Sequence, residues 1–260
     1  MVADAAGTEG FIDAEGKTLH YSMLGQGHDG EPMVFLHEGL GSVELWRSFP
    51  PDVVERVGRP GLSYSRYGNG WSTPLTEPRN PDYMHHEALE VLPRVLDSLI
   101  EGPPILVGHS DGASIALVHA GAGYPVQQLV LIAPHIFVED ETIESIAAIR
   151  AGFEGSDMKE KMRKYHTEPE TTFYGWADIW LSPEFRAWNI EEYLTGVTCP
   201  TLLVQGREDE YGTDRQLDVI EERVDAPTER VTIESAGHSP HLTHPEPVTN
   251  AIAEFMDRHR

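Results

Sequence analysis

The pentapeptide Gly108-His109-Ser110-Asp111-Gly112 lies between an apolar run, Ile105-Leu106-Val107, and a second apolar stretch from Ala113 to Val118. That order reads as a strand, a five-residue turn and a helix start, with serine at the apex. A turn this sharp forces its apex residue into a strained backbone conformation. Glycines two positions before and two after leave room for strand and helix to pass closely. The Ser110 hydroxyl is therefore expected to stand clear of the sheet edge, beside the N–H groups of a helix start, where a nucleophile belongs. A Gly-x-Ser-x-Gly alone is a modest signal, and its flanks raise it.

Further apolar runs repeat the pattern. Gly10 to Asp13 and Lys17 to Met23 flank Ala14-Glu15-Gly16 and read as a hairpin. Met33 to Leu36, Gly61 to Ser65, Gln128 to Ala133, Pro200 to Gln205 and Glu229 to Glu234 read as strands. Helical patterns cover Val43 to Val57, Tyr83 to Glu101 with a stripe of Leu89, Leu92, Leu96 and Leu99, the stretch up to Gly121, Asp214 to Val224, and Glu246 to Arg260. Strands alternating with helices imply parallel pairing with helices on both faces of the sheet. The alternation stops once, from Phe137 to about Gly196, where the pattern is helical. This predicts a core of residues 1–136 and 197–260, with residues 137–196 as a helical cap lying over the sheet.

With 260 residues, 40% of them hydrophobic, the chain is long enough to bury a full core as one domain. Its 43 acidic against 19 basic residues give a formal charge of −24. That charge repels nucleic acid and anionic lipid and favours neutral or cationic substrates. No stretch approaches the roughly 20 apolar residues of a membrane span. Met1 to Gly10 has neither the basic start nor the apolar core of a secretory leader, so a cytoplasmic location is expected, with no membrane partner. Cys199 is the single cysteine, which rules out an internal disulfide or thiolate metal cluster. Beside Pro200 at a strand entrance, it reads as a core residue.

A serine hydroxyl is a poor nucleophile at neutral pH and needs a base, held in the right tautomer by a carboxylate. The chain offers Gly206-Arg207-Glu208-Asp209-Glu210 after one strand and Ala236-Gly237-His238-Ser239-Pro240 after the next, in the order serine, acid, histidine. With His37-Glu38-Gly39-Leu40-Gly41 these segments resemble the α/β-hydrolase superfamily over essentially the whole chain. The resemblance implies an α/β fold with a mostly parallel, doubly wound eight-stranded sheet. It also implies Ser110 as nucleophile, His238 as base and then acid, and Asp209 as the orienting carboxylate. The implied oxyanion hole comes from the backbone N–H groups of Asp111 and Gly39. The expected reaction is hydrolysis of a small-molecule ester, without cofactor or metal. Carbon–carbon bond, lactone and thioester hydrolysis remain open, as does a low-turnover binding protein on the same scaffold.

Two positions depart from the superfamily pattern. Glu38 stands where glycine is usual. Asp111 puts a carboxylate next to the nucleophile, and that carboxylate is expected to turn away and cap the helix N-terminus. His238, His241 and His244 recur at intervals of three, but Pro240 spoils a regular helix and no recognised zinc spacing accompanies them, so His241 and His244 read as loop and helix-entry residues. His85-His86-Glu87 reads as surface, Glu208 and Glu210 as solvated turn residues, His37 as a brace for its loop, and Arg66 to Ser72 as a structural turn. Phe173, Trp176 and Trp180 are spaced to pack the insertion onto the core, with Trp176 and Trp180 also candidates for the substrate pocket wall. Trp46 and His135 are further lining candidates.

Overall fold

A computed structural model of the chain describes residues 7–259. Met1 to Ala6 of the segment read for a leader, and Arg260 of the closing helix, lie outside the described residues. Eight strands form one sheet in the order β1-β2-β4-β3-β5-β6-β7-β8: β1 (Thr8–Ala14), β2 (Lys17–Leu24), β3 (Met33–Leu36), β4 (Gly61–Tyr64), β5 (Ile105–His109), β6 (Gln128–Ile132), β7 (Thr201–Gly206) and β8 (Thr228–Ile233). The β1–β2 and β2–β4 pairs are antiparallel and every other pair is parallel.

Period-two alternation splits each central strand between two cores. Val34 and Leu36 of β3, Leu106 of β5, Leu129 and Leu131 of β6 and Leu203 of β7 face one cluster. Met33 and Phe35, Ile105 and Val107, Val130 and Ile132, and Leu202 and Val204 face the other. Helices α1 (Phe49–Val57) and α10 (Pro245–Arg258) cover the second face, while α3 (Leu92–Leu99), α4 (Asp111–Gly121) and α8 (Asp214–Arg223) cover the first. This is the doubly wound arrangement read from the alternation of segments.

Two predicted helices are broken where proline dictates. Instead of one helix from Val43, a 3-10 turn (Glu44–Trp46) ends at Arg47, φ 55°, and α1 starts at Phe49. Pro50 and Pro51 lack N–H donors and fit only the first turn of a helix. The helix predicted over Tyr83 to Glu101 is α2 (Tyr83–His86), a wide π-helical stretch (Glu87–Val91) and α3. Pro93 cannot donate in the ladder, and its ring crowds the preceding turn.

Between β6 and β7 the chain forms α5 (Asp140–Gly152), α6 (Met158–Met162) and α7 (Pro169–Trp180) with short 3-10 turns. Phe153 and Phe173 stack at 3.7 Å and 4° inside this segment. It docks on the glycine-punctuated loop after β4: Gly70 N–H donates to His166 Nδ1 at 2.9 Å, Thr167 N–H to the Gly70 carbonyl at 2.9 Å, and Thr172 Oγ1 to the Gly68 carbonyl at 2.7 Å. The remaining helix, α9 (Pro240–Thr243), is a single turn before α10.

The β5–α4 passage is tight. A Cβ on Gly108 would run into the backbone of Gly112 and Ala113, and one on Gly112 into the carbonyl oxygens of Leu36 and His37. Alanine normally gains about 1 kcal/mol over glycine within a helix. At Gly112 the obstacle is backbone, which no rotamer change relieves, so Gly112→Ala is expected to cost about 2–3 kcal/mol net. Urea unfolding would measure this, and unchanged or increased stability would mean that strand and helix are not in contact.

Candidate active site

Ser110 sits at φ 53°, ψ −119°, between the end of β5 and the first residue of α4. This is a region that a residue with a Cβ enters only under constraint. The constraint is visible: Ser110 N–H donates to the Ile132 carbonyl at 2.9 Å, and its own carbonyl accepts from Ala113 and Ser114 at 2.8 and 3.1 Å. Position N1 of a helix has no intrahelical acceptor, so the Asp111 N–H points out beside the hydroxyl.

The loop after β3 brings a second amide. The Leu40 N–H is bonded to Glu38 Oε2, and the Gly41 N–H donates to the Glu38 carbonyl at 3.0 Å. Of these three loop amides the Gly39 N–H alone has no acceptor among the described residues. His37 keeps one tautomer: its Nδ1–H donates to the Glu38 carbonyl at 2.6 Å, because its Nε2 accepts from the Arg66 N–H at 3.0 Å. A Cβ on Gly39 would collide with the indole of Trp176, so only glycine fits there beneath α7.

Asp209 and His238 meet at the carboxyl ends of β7 and β8. His238 Nδ1–H donates to both carboxylate oxygens, at 2.9 and 3.0 Å, which turns Nε2 outward as an acceptor. Asp209 also accepts from Gln205 Nε2 at 2.7 Å and from the Tyr211 N–H at 2.8 Å. Burial opposes charge on both partners, but their mutual attraction wins. The Asp209 carboxyl lies below the ordinary aspartate value, and the His238 imidazole lies above 6.5.

Ser110 and His238 share the wall of one cavity of about 260 Å³, without a direct hydrogen bond between them. In substrate-free enzymes that contact is often long and tightens when substrate binds. Glu38, Gly39, Asp111, His135, Trp176 and Trp180 line the same cavity. Trp46 does not. It is buried in the core beneath, where its indole packs on Phe35 and Phe49, each at 5.9 Å, and on His241 at 5.0 Å, because that apolar cluster takes up its large surface.

Three other expectations are corrected. The Asp111 carboxylate turns away from the hydroxyl, yet it does not cap the helix. It accepts from Tyr83 Oη at 2.5 Å and lies 3.7 Å from Arg66, because a buried cation and phenol outcompete backbone amides. Glu87 is buried at 5% exposure rather than on the surface, since the wide turn at 87–91 rotates it inward. Glu210 is solvent-exposed, but its Oε2 accepts the His238 N–H at 3.1 Å, so it is more than a turn residue.

Tyr211, Gln205 and Arg66 are neighbours of the site that no motif in the sequence flags. The Tyr211 ring lies 4.8 Å from that of His238, and His109 Nε2–H donates to the His238 carbonyl at 2.9 Å. Gln205 and Arg66 hold the acid and the loop. No spacing rule connects these residues to the cleft, although Tyr211 and Gln205 were adjacent to a recognised motif. Burial, with the nearby Asp111 charge adding to it and the Leu40 hydrogen bond opposing it, pushes the Glu38 carboxyl up to about 7. Among the described residues no group of three or more His, Cys, Asp or Glu side chains is arranged to hold a metal ion, and no helix is long and apolar enough to cross a membrane.

A model of the alpha/beta hydrolase family matches residues 33–251. The sn-1-specific diacylglycerol lipase ABHD11 of Danio rerio is 30% identical over 117 residues, which is 45% of this chain; the match spans only 35% of that protein's length. Of solved structures, the enol-lactonase from Burkholderia xenovorans LB400 is similar at a TM-score of 0.75 and 16% identity, covering 95% of this chain and 100% of that one. The carboxylesterase CesB from Bacillus subtilis is similar at 0.71 and 19%, covering 96% and 91%. At these identities the structural likeness is one of fold.

Four imidazoles crowd this end of the sheet: His109, His135, His238 and His241. Burial, reinforced by the neighbouring His238, pushes His135 down to about 4 and His241 to about 3. Burial and the adjacent rings also hold His109 well below 6.5. Nitrogen-15 NMR titration from pH 5 to 9 is expected to show one ring of the four, His238, changing charge, with a midpoint above 6.5. Asp209→Asn should bring that midpoint down; an unmoved midpoint would mean the carboxylate does not set it.

Proposed function

Because the chain belongs to the alpha/beta hydrolase family, we propose that it is a serine hydrolase cleaving carboxylic esters of small to medium, largely uncharged substrates through an acyl-enzyme on Ser110. The observation that carries this reading is the Asp209–His238 pair, whose free Nε2 belongs to the wall of the cavity that also contains the Ser110 hydroxyl at its strained turn. In the proposed cycle His238 Nε2 takes the Ser110 proton as Oγ attacks the carbonyl carbon. The Asp111 and Gly39 N–H groups receive the oxyanion. His238 then gives its proton to the departing alcohol. In the second half His238 draws a proton from water, the water oxygen attacks the acyl carbon, and the proton returns to Ser110 as the acid leaves. Each oxyanion donor of this kind contributes about 3 kcal/mol to the transition state.

Substrate size and charge follow from the cavity. About 260 Å³ suits a small or medium acyl group, and the walls offer Trp176, Trp180, Tyr211 and Ile146 as apolar surface. Glu38 and Glu210 line it while lysine and arginine do not, which disfavours an anionic substrate. The partial similarity to a diacylglycerol lipase supports ester-bond chemistry.

A panel of nitrophenyl esters of increasing acyl length, run beside a fluorophosphonate probe, tests the proposal. Short acyl chains are expected to turn over fastest, with the probe adduct on Ser110. Ser110→Ala and His238→Ala are expected to lose about three orders of magnitude or more in kcat. Labelling of Ser110 without multiple turnover would instead indicate a binding protein on this scaffold, and turnover that survives Ser110→Ala would remove the mechanism.

A further inference from the structure

We propose that Arg66 is a positioning residue that aims and polarises the Glu38–Gly39 peptide, so that the Gly39 N–H is fixed as an oxyanion donor. The inference rests on Ser110 being the nucleophile. A trans peptide is planar, and its C=O and N–H point in opposite directions. Whatever holds the Glu38 carbonyl therefore sets the direction of the Gly39 N–H. Arg66 Nη2 donates to that carbonyl at 3.0 Å, His37 Nδ1–H donates to the same oxygen at 2.6 Å, and Arg66 Nη1 donates to the His37 carbonyl. With the Gly41 N–H this makes three donors at one end of the amide, one of them cationic, which draw electron density toward the oxygen and strengthen the N–H at the other end as a donor.

The same guanidinium reaches the other half of the hole. Its Nη2 is 3.7 Å from the carboxylate of Asp111, whose own N–H is the first donor, and that carboxylate is held by Tyr83 Oη at 2.5 Å. Arg66 thus spans the loop after β3 and the start of α4, the two pieces of backbone that must keep a fixed separation around a tetrahedral oxygen. It is 1% exposed and almost wholly enclosed. Only a planar fork satisfies two carbonyls on one side and a carboxylate on the other; an ammonium at the end of a lysine does not. A plain structural strut would account for a buried arginine on loop carbonyls. It would not by itself account for one of the two bonded carbonyls, that of Glu38, sharing its peptide with the single amide of residues 39–41 that has no acceptor among the described residues.

The test measures wild type, Arg66→Lys, which keeps the charge and loses the fork, and Arg66→Gln, which keeps one donor and loses the charge. The readouts are the second-order rate constant for phosphonylation of Ser110 by the fluorophosphonate probe, and kcat and KM on the fastest nitrophenyl ester. With the probe in excess the time course of labelling gives a rate constant independent of how much protein is active, and kcat is taken per labelled Ser110, so a smaller folded fraction leaves both unmoved. Either variant is expected to lose about 10-fold or more in both phosphonylation rate and kcat, with KM within about 2-fold of the parent. Unchanged rate constants, or a loss carried in KM, would overturn the proposal. A readout that needs no variant is the Gly39 amide proton: it should resonate downfield in the free protein and move further downfield on phosphonylation, and an unmoved resonance overturns the assignment. If wild type is labelled at Ser110 but turns over no ester, the ester reading fails while the labelling rates still decide the role of Arg66. If wild type is not labelled, both fail.

Discussion

The passage of β5 under α4 is the constraint from which the rest of the site follows. Gly108 has no room for a Cβ against the start of α4, Gly112 has none against the end of β3, and the one residue that must turn the corner, Ser110, is held at positive φ. Such a conformation costs on the order of 1–3 kcal/mol. It is offset by a helix buried on every side, with each residue from Asp111 to Ala120 out of solvent between the sheet and the segments at 87–91 and 191–196. Because α4 is pinned all round, its first N–H and the serine hydroxyl are fixed relative to the sheet. The parallel strands β3, β7 and β8 of the same sheet then deliver their loops to the same edge.

Electrostatics around this point is balanced locally in a chain with a large negative excess. Most ion pairs lie at the surface, where they contribute little. Behind the elbow the situation differs. Asp111, Arg66 and Glu87 are buried together, with Arg79 over the ring of Tyr83 and the Trp180 indole N–H donating to Tyr83 Oη at 3.2 Å. Removing one member of such a set leaves an uncompensated buried charge, which costs far more than a surface pair is worth. The carboxylate one residue after Ser110 is thereby held by Tyr83 and matched to Arg66.

The sequence carried the fold because the fold is written in repeated local signals. Apolar runs of strand length, alternating with amphipathic stretches, dictate a parallel sheet covered on both faces, and the positions of Ser110, Asp209 and His238 after β5, β7 and β8 put all three at one edge. Where the reading slipped, a single residue outweighed a periodic pattern: Pro50 and Pro51 delay α1, and Pro93 widens the turn that buries Glu87. Trp46 lies in the core and not at the cavity because its partners, Phe35, Phe49 and His241, come from three separate segments that no local spacing connects. Arg66, Tyr83 and Gln205 were invisible as site residues for a different reason. Their importance lies in hydrogen bonds that reach across the chain, such as Tyr83 to Asp111, 28 positions away, and no local pattern encodes such a partner.

The helical segment between β6 and β7 is bound to the same network, which bears on how the cleft is shaped. α7 fills the space above Gly39 with Trp176 and hands a hydrogen bond from Trp180 to Tyr83, and the segment's other end rests on the Gly68 to Gly70 loop. That loop follows directly from Arg66, and Asn69 within it donates through Nδ2 to the carbonyls of Gly39 and Gly41, at 3.0 Å each. The stretch from Arg66 to Gly70 therefore touches the loop after β3, the start of α4 and the helices above them. A stretch that reads as a turn in sequence is the joint through which the roof of the cavity and the amides at its floor are held in one geometry. Movement of α7 cannot be independent of the backbone around Gly39, since the same few residues anchor both.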